Sequence, residues 1–311
     1  MTFFSPNETL NHQAQNILNT TWQEFPHLAK NEIALTWIVY DQPVIVNTGG
    51  ALSFEEFWQY PLQGFSYRGE EKIYPASIVK LFYLVAIQEW LHNAMISESP
   101  ELNRAIKDMI IDSSNDATSY IVDLLSGTTS GSELSFGPFE TWKYQRNIVN
   151  RYFQSLAWEE LATINVNQKT WCDGPYGRER MFVGEIYENR NMLTTNAVAR
   201  LFHSIIGGVA VSSQASQRMM NLLKRDVTQK KLLENEEENQ INGFLGEILP
   251  NNANLWSKAG WTSTVRHDCA YIEIPDHKPY LLIIFTEGKK NSQNRHLIPF
   301  LSAQFAKVTA I

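Results

Sequence analysis

The hydrophobic pattern changes period along the chain. Residues 9–24 alternate apolar and polar positions at helical spacing, and 11–22 predict a first helix laid across a sheet. Residues 33–40 are β-branched and aromatic and predict a strand. Asp41-Gln42-Pro43 turns the chain; 44–46 predict a second short strand, closed by Gly49-Gly50, and 64–67 a further one. From 77 to about 207 the signal is helical, with helices predicted over 77–94, from Ser99-Pro100 onward, over 116–125, 147–156 and 195–206. Residues 126–131 read as a loop, and 165–193 as a long irregular segment of the kind that is often functional. A helical stretch at 214–223 is followed by a polar segment to 252. The period then shortens again. Residues 255–260, 268–274 and 280–286 predict successive strands, with an antiparallel hairpin at Pro275-Asp276-His277, before a last helix at 296–308.

Strands at the two ends can share one sheet only if the helical block is an insertion between them. The expected fold class is therefore an α/β (α+β) sandwich with an antiparallel sheet plus an inserted all-helical lobe. Residues 1–68 and 209–311 would form the sheet lobe and 69–208 the helical lobe, together one functional unit.

Composition narrows the class of partner. The 311 residues are 43% hydrophobic and 19% charged, as in a soluble globular protein, and 9 tryptophans and 16 phenylalanines point to a well-filled interior. A net charge of -7 argues against nucleic acid and anionic membrane as partners. The one dense acidic run, Glu234-Asn235-Glu236-Glu237-Glu238, reads as a solvated surface. No basic region followed by an apolar core opens the chain, which implies a cytoplasmic protein, or a periplasmic one if the chain is a trimmed mature form. Cys172 and Cys269 allow one disulfide but no metal site, and no cofactor is implied.

Three stretches carry chemistry. Pro75-Ala76-Ser77-Ile78-Val79-Lys80 feeds an apolar helix with almost no polar face. Ser77 and Lys80 are three apart and share the first turn. A lysine in an apolar setting, made easier to deprotonate, can serve as base for a neighbouring serine at a helix start. The structural alternative is an N-cap serine with a snorkelling lysine. Asp112-Ser113-Ser114-Asn115-Asp116 lies between two helices, so that Ser113 and Asn115 point the same way, or the cluster is a plain N-cap. Ser257-Lys258-Ala259-Gly260 puts a lysine and a glycine in a strand, where glycine often marks a close approach; an edge-strand lysine with a bulge glycine is the alternative.

Together, Ser-x-x-Lys at a buried helix start, Ser-x-Asn in the helical lobe and Lys-x-Gly on a C-terminal strand resemble the active-site triplet of class A β-lactamases and penicillin-binding proteins. The order of elements agrees over nearly the whole chain, and Leu193-Thr194-Thr195-Asn196-Ala197-Val198-Ala199-Arg200 is similar to the segment that opens the helix after the family's Ω-loop. The resemblance implies that Ser77 is the acylated nucleophile and Lys80 its proton partner. Ser113 would relay the proton to the leaving nitrogen, and Asn115 would hold the substrate amide and the Lys80 ammonium. Lys258 would attract a substrate carboxylate. Ala259, Gly260 and Trp261 would line the substrate, with the backbone N–H groups of Ser77 and Trp261 as oxyanion hole.

The sequence departs from the family pattern in places. Ser114 stands where the family usually has Asp, and Ala259 where it has Thr. The span from Ser77 to Ser113 is short and that from Ser113 to Lys258 long. For the deacylating glutamate of the Ω-loop, Glu185 has an asparagine, Asn189, four residues on but lies close to Thr194-Thr195; Glu179 is better spaced from that segment but lacks the asparagine. Glu185 is the candidate on motif spacing.

The function expected is a β-lactamase-like serine hydrolase acting through an acyl-enzyme on an amide, lactam or ester. A D-Ala-D-Ala peptidase, amidase or esterase on the same scaffold is the alternative, and a non-catalytic ligand-binding relative the second. His267-Asp268 reads as strand structure, because Ser-x-x-Lys already supplies a base. Cys172 reads as a loosely packed loop residue.

Overall fold

The computed structural model describes residues 3–43, 53–59, 62–231 and 240–311. The expected strand at 44–46, Gly49-Gly50 and the acidic run at 234–238 lie outside the described residues.

One sheet of seven strands runs in the order β1-β3-β2-β7-β6-β5-β4. The strands are β1 Ser5–Pro6, β2 Ile33–Val39, β3 Gln63–Tyr67, β4 Lys224–Arg225, β5 Asn254–Trp261, β6 Val265–Glu273 and β7 Tyr280–Glu287. All pairs are antiparallel except β1 with β3. The two ends of the chain meet where β2 pairs β7, Trp37 opposite Leu282.

Side chains alternate across this sheet into two cores. Ile33, Leu35 and Trp37 join Leu282 and Ile284 on one face, while Ala34 and Ile38 join Ile283 and Phe285 on the other. Because both faces are covered, β2 reads in the sequence as an apolar run broken only at Thr36. Helices α1 (Glu8–Glu24) and α12 (Leu297–Thr309) cover the first face through Ala14, Ile17, Leu18, Leu301 and Phe305. Helix α1 is longer than expected because Asn7 caps it, its side-chain oxygen accepting from the Leu10 N–H at 3.0 Å. Helix α9 (Thr195–Ile206), capped by Thr194, lies on the second face against β2 and β7.

Beyond α9 stands the helical lobe, built around α3 (Val79–His92). Every residue of α3 from Val79 to Gln88 is buried, because α4 (Pro100–Ile110), α5 (Asn115–Ser126), α7 (Ile148–Ser155) and α10 (Ser213–Leu223) pack around it. This is why its sequence has no polar face. Among the described residues no helix is long and apolar enough to cross a membrane.

Four helices were not expected. Helix α2 (Phe54–Gln59) is short. Helix α6 (Phe136–Arg146) buries only Trp142 and Arg146 and leaves Phe136 82% and Tyr144 67% exposed, so no apolar stripe marks it. Helix α8 (Gly177–Val183) sits inside the segment 165–193 and is too short to show a period. A small α11 (Lys289–Gln293) follows β7.

The segment 165–193 is a loop pinched at its neck. Asn165 bridges Met192 and Ile73 bridges Leu193. The Asn191 side chain fills the gap: its oxygen accepts from the N–H groups of Asn167 (3.0 Å) and Gln168 (2.9 Å), and its nitrogen donates to the Gln168 carbonyl (2.9 Å). Asn191 is buried, so Asn191→Ala leaves the Asn167 and Gln168 N–H groups without partners, while the Gln168 carbonyl keeps the Tyr83 hydroxyl. We expect a loss of about 3 kcal/mol, read as a lower urea midpoint, with proteolysis appearing first between 168 and 190. An unchanged midpoint would show that the neck is held elsewhere.

Candidate active site

The turn before α3 is set by its neighbours. Ala76 has φ +47, a left-handed conformation rare for a residue with a side chain. His267, fully buried on β6 and stacked on Phe285, fixes this turn: its Nε2–H donates to the Tyr74 carbonyl at 2.9 Å while its Nδ1 accepts from the Thr286 N–H at 3.1 Å. Both ring nitrogens are thus committed to the backbone, and burial lowers the imidazole pKa to about 4. A Ser-His-Asp triad does not form, as expected. Residues Ala76–Ile78 make a single 3₁₀ turn, and Ser77 caps neither it nor α3. Ser77 is half-buried, and among the described residues its hydroxyl has no hydrogen-bond partner. It is a free hydroxyl at a helix start rather than a cap.

Lys80 does not snorkel; it is fully buried. Its ammonium donates to the Ser113 carbonyl, to Ser113 Oγ at 3.2 Å and to Asn115 Oδ1 at 2.9 Å. Burial lowers its pKa to about 7, with the nearby Cys172 acting weakly in the other direction. Lys80 and Ser77 lie on the same first turn, yet the lysine is turned to the Ser113 loop and is not hydrogen-bonded to Ser77.

That loop is held by its own geometry. Ser113 has φ +57, which folds the chain back so that the Ser114 N–H reaches the Asp108 carbonyl at 3.0 Å. Ser114 is the N-cap of α5, accepting from the Ala117 N–H at 3.2 Å. Serine and aspartate both cap well, so the departure at Ser114 keeps the local structure.

Lys258 is not at an edge: β5 lies between β4 and β6, and the side chain is fully buried. Its ammonium donates to Ser113 Oγ (2.9 Å), Gln240 Oε1 (2.8 Å) and the Ala259 carbonyl (2.8 Å). Burial lowers its pKa, and Lys80 and Arg225 lower it further. The Ser113 hydroxyl therefore stands between two buried lysines. Two residues on, Gly260 packs against the nucleophile turn: a Cβ there would lie 2.9 Å from the Pro75 carbonyl oxygen and 3.0 Å from the Ser77 nitrogen. This close approach requires glycine.

Ser77, Lys80, Ser113, Asn115, Lys258 and Gly260 thus converge on one face. Ala259 and Trp261 need correction. Strand alternation turns the Ala259 side chain into the opposite core, leaving only its backbone on this side. The Trp261 indole points to α11, where its N–H donates to the Ser292 carbonyl at 3.1 Å, so only its main chain can face Ser77.

The glutamates also need correction. Glu185 is exposed on the outer part of the loop and its carbonyl accepts from Arg180, while Glu188 accepts from the Ile186 N–H. Neither joins the cluster. Glu179 is fully buried but turned into the lobe, paired with Arg146 at 2.7 Å and accepting from Ser130 Oγ at 2.8 Å. The loop residue that does reach the site is Cys172, whose sulfur accepts from Asn115 Nδ2 at 3.3 Å. Cys269 is buried beside Lys258, so the two thiols are far apart in role and both are free. Among the described residues no carboxylate hydrogen-bonds to Lys80, Ser113, Asn115 or Lys258, and none form a metal-binding group. Clefts of about 350 and 450 Å³ open elsewhere, on Glu70, Glu160 and Asn196 and on Gln88, His92 and Arg218, and neither touches this cluster.

The family model described as the beta-lactamase enzyme family matches residues 91–308. The chain belongs to the beta-lactamase enzyme family. It is accordingly a hydrolase of the β-lactamase type. The match contains Ser113, Asn115 and Lys258 but begins after Ser77 and Lys80. No curated protein matches. Among solved structures, a β-lactamase from Sphaerobacter thermophilus aligns with TM-score 0.61 and 16% identity, over 94% of this chain and 96% of that one. A penicillin G acyl-enzyme complex of a PBP-A mutant aligns with TM-score 0.64 and 17% identity, over 98% and 97%. A β-lactamase from Chitinophaga pinensis gives 0.63 and 13%, over 96% and 99%. At these identities the likeness carries the β-lactamase and penicillin-binding-protein fold.

Sequence reasoning missed Gln240 and Cys172 as parts of the site. Gln240 follows a polar segment with no periodicity, and Cys172 sits in an irregular loop; only their partners across the fold distinguish them.

His267 gives a pH signature. Its pKa falls from 6.5 unfolded to about 4 folded, so the unfolded chain binds the extra proton between these values. The associated stability is complete above pH 6.5 and is lost as pH falls toward 4, on the order of 3 kcal/mol. His267→Gln retains a donor for Tyr74 but not this titration. The drop in unfolding free energy between pH 7.5 and 4.5 should be smaller in the variant; an identical drop refutes the assignment.

Proposed function

We propose that this chain is a serine hydrolase that forms an acyl-enzyme on Ser77, with an amide, lactam or ester substrate that carries a carboxylate. The observation that carries this reading is the Ser113 hydroxyl held between two buried lysines, one of which shares its turn with the free Ser77 hydroxyl. An acyl transfer needs a nucleophile, a group able to take its proton, and donors where oxygen charge develops.

In this reading Lys80, with a pKa near 7, is partly neutral at physiological pH and takes the Ser77 proton as the hydroxyl attacks the carbonyl. The step requires the Lys80 amine to swing from the Ser113 loop toward its neighbour on the same turn. The backbone N–H groups of Ser77 and Trp261 receive the oxyanion, and Gly260 lets β5 approach the Ser77 turn closely. The proton passes through Ser113 Oγ to the leaving nitrogen or oxygen. Lys258 keeps that hydroxyl poised and attracts the substrate carboxylate. Asn115 offers its amide to the substrate once it gives up the Cys172 sulfur.

Deacylation is the slow half. With no carboxylate among the described residues bonded to the cluster, water attacks the ester without a dedicated base of the kind that contributes 10²–10⁴-fold in rate. This feature favours long-lived acyl-enzymes on β-lactams, and it equally suits a D-Ala-D-Ala peptidase, amidase or esterase whose own substrate is cleared faster.

Intact mass after incubation with penicillins and activated esters tests the proposal. The parent should gain one acyl adduct that clears slowly, and Ser77→Ala should fold and gain none; an adduct on Ser77→Ala sinks the assignment. The acylation rate should rise with pH and level off above about 7, because Lys80 must be neutral to accept a proton. A rate flat from pH 5.5 to 9 removes Lys80 from the step. Lys258→Ala should weaken capture of an anionic substrate by about tenfold, near 1.4 kcal/mol, and added salt should reproduce part of that loss in the parent. A variant with parental kinetics would make Lys258 structural.

A further inference from the structure

Lys258 is a buried ammonium whose three acceptors are all neutral, and one of them is the side chain of Gln240. Gln240 is itself buried, and its carboxamide is fully used. The oxygen accepts from Lys258 Nζ at 2.8 Å and from the Ala259 N–H at 3.1 Å, with an Arg225 nitrogen at 3.4 Å. The nitrogen donates to the Ile110 carbonyl at 3.1 Å and the Ile111 carbonyl at 2.7 Å. Those carbonyls belong to the last turn of α4, where a helix leaves its C=O groups without internal partners. Ser113 follows two residues later. The Gln240 side chain therefore spans the strand that carries Lys258 and the helix end that carries Ser113, beside Arg225, which joins Ser257 to the same helix end; of the two, only Gln240 bonds the Lys258 ammonium.

The chemistry of that side chain matters as much as its reach. A carboxylate would be the usual companion of a buried lysine, and it would cancel the lysine's charge. It could not donate to Ile110 and Ile111. Glutamine meets both demands: it accepts from the ammonium and donates to the helix end, and it carries no charge. The other charged and titratable groups acting on Lys258 are Lys80 and Arg225, which repel its proton, and Asp268 and Cys269, which favour it. The Asp268 carboxyl is bonded away to the Leu245 N–H at 2.9 Å.

We propose that Gln240 is the positioning residue for Lys258: it holds the ammonium on the Ser113 hydroxyl and, being neutral, leaves that positive charge for the anionic group of a substrate. The second clause rests on the reading of Lys258 given above; the first does not.

The test uses Gln240→Glu and Gln240→Met in the full chain, so that loss of folding in one leaves the other. Arg225 still donates to the Ile110 carbonyl in both, at 3.0 Å in the parent. The first readout needs no substrate: NMR titration of the Lys258 side chain in lysine-labelled protein. Gln240→Glu should raise the Lys258 pKa and Gln240→Met should lower it further. The second readout compares acylation by penicillin G, an anion, with acylation by p-nitrophenyl acetate, a neutral ester. Gln240→Glu should slow the ester through its lost bonds to Ile110 and Ile111, and should slow penicillin by about tenfold more than the ester. Gln240→Met should slow both, because Ser113 loses its fixed partner.

A Lys258 titration that moves in neither variant overturns the positioning role. Equal slowing of penicillin and ester by Gln240→Glu overturns the charge-sparing role, since a merely structural glutamine affects both alike. If the parent is acylated by neither probe, the acyl-enzyme reading fails instead, and the titration still decides Gln240.

Discussion

The Ser113 hydroxyl is the point on which the two halves of the molecule agree. Lys80 reaches it from the start of α3 at 3.2 Å and Lys258 from β5 at 2.9 Å. Both lysines are fully buried, and burial alone disfavours their charged forms. Each ammonium is stabilised only by aiming at several oxygens at once, and Ser113 supplies two of them to Lys80. Moving the sheet away from the helices would strip Lys258 of Ser113 in a place where water cannot replace it, while the acceptors of Lys80 all lie within the helical lobe. Lys80, across that hydroxyl, is among the groups that lower the pKa of Lys258.

That convergence is maintained by backbone that would not otherwise adopt its shape. Ala76 and Ser113 both have positive φ, at +47 and +57, a conformation that costs of order 1–3 kcal/mol at a residue other than glycine. The first adjoins Ser77, and the second is Ser113 itself. The surroundings over-determine them: His267 holds the Tyr74 carbonyl before the first, and the Asp108 carbonyl holds the Ser114 N–H after the second. The absence of a Cβ at Gly260 lets β5 press directly on the nucleophile turn. Stability elsewhere in the sheet and in α3 maintains these strained turns, which is the usual relation between a rigid scaffold and a reactive site.

The loop 165–193 shows how acidic residues divide their work. Glu179, Arg146, Asp123 and Lys169 form a buried cluster with Arg146–Glu179 at 2.7 Å and Lys169–Asp123 at 2.7 Å. Removing one member would leave an uncompensated charge inside the lobe, so the cluster fastens the loop from beneath. The face of the loop toward Asn115 carries Cys172 instead of a carboxylate. The buried charges of this loop thus anchor it, and the group that reaches Asn115 is a thiol. This arrangement separates the loop's structural role from any part in activating water.

Much of the fold was legible in the sequence. The alternation in β2 and β5–β7, the all-apolar α3 and the capping residues of α4 and α9 are local properties, set by side chains within a few positions of one another. They determined the strand order at the two ends, the insertion between them, and the three stretches from which Ser77, Ser113 and Lys258 come. Helix α6 escaped because its apolar side chains face outward, and α8 because one or two turns show no period. What only the tertiary structure decided concerns partners distant along the chain. Glu179 and Glu185 differ little in local sequence, yet one is sealed against Arg146 and the other stands in solvent. Gln240 is one polar residue among many until its carboxamide meets Lys258 and the end of α4. A residue's type fixes the hydrogen bonds and charge it can offer; which groups receive them depends on packing across separations of tens to hundreds of residues, and no local pattern encodes that.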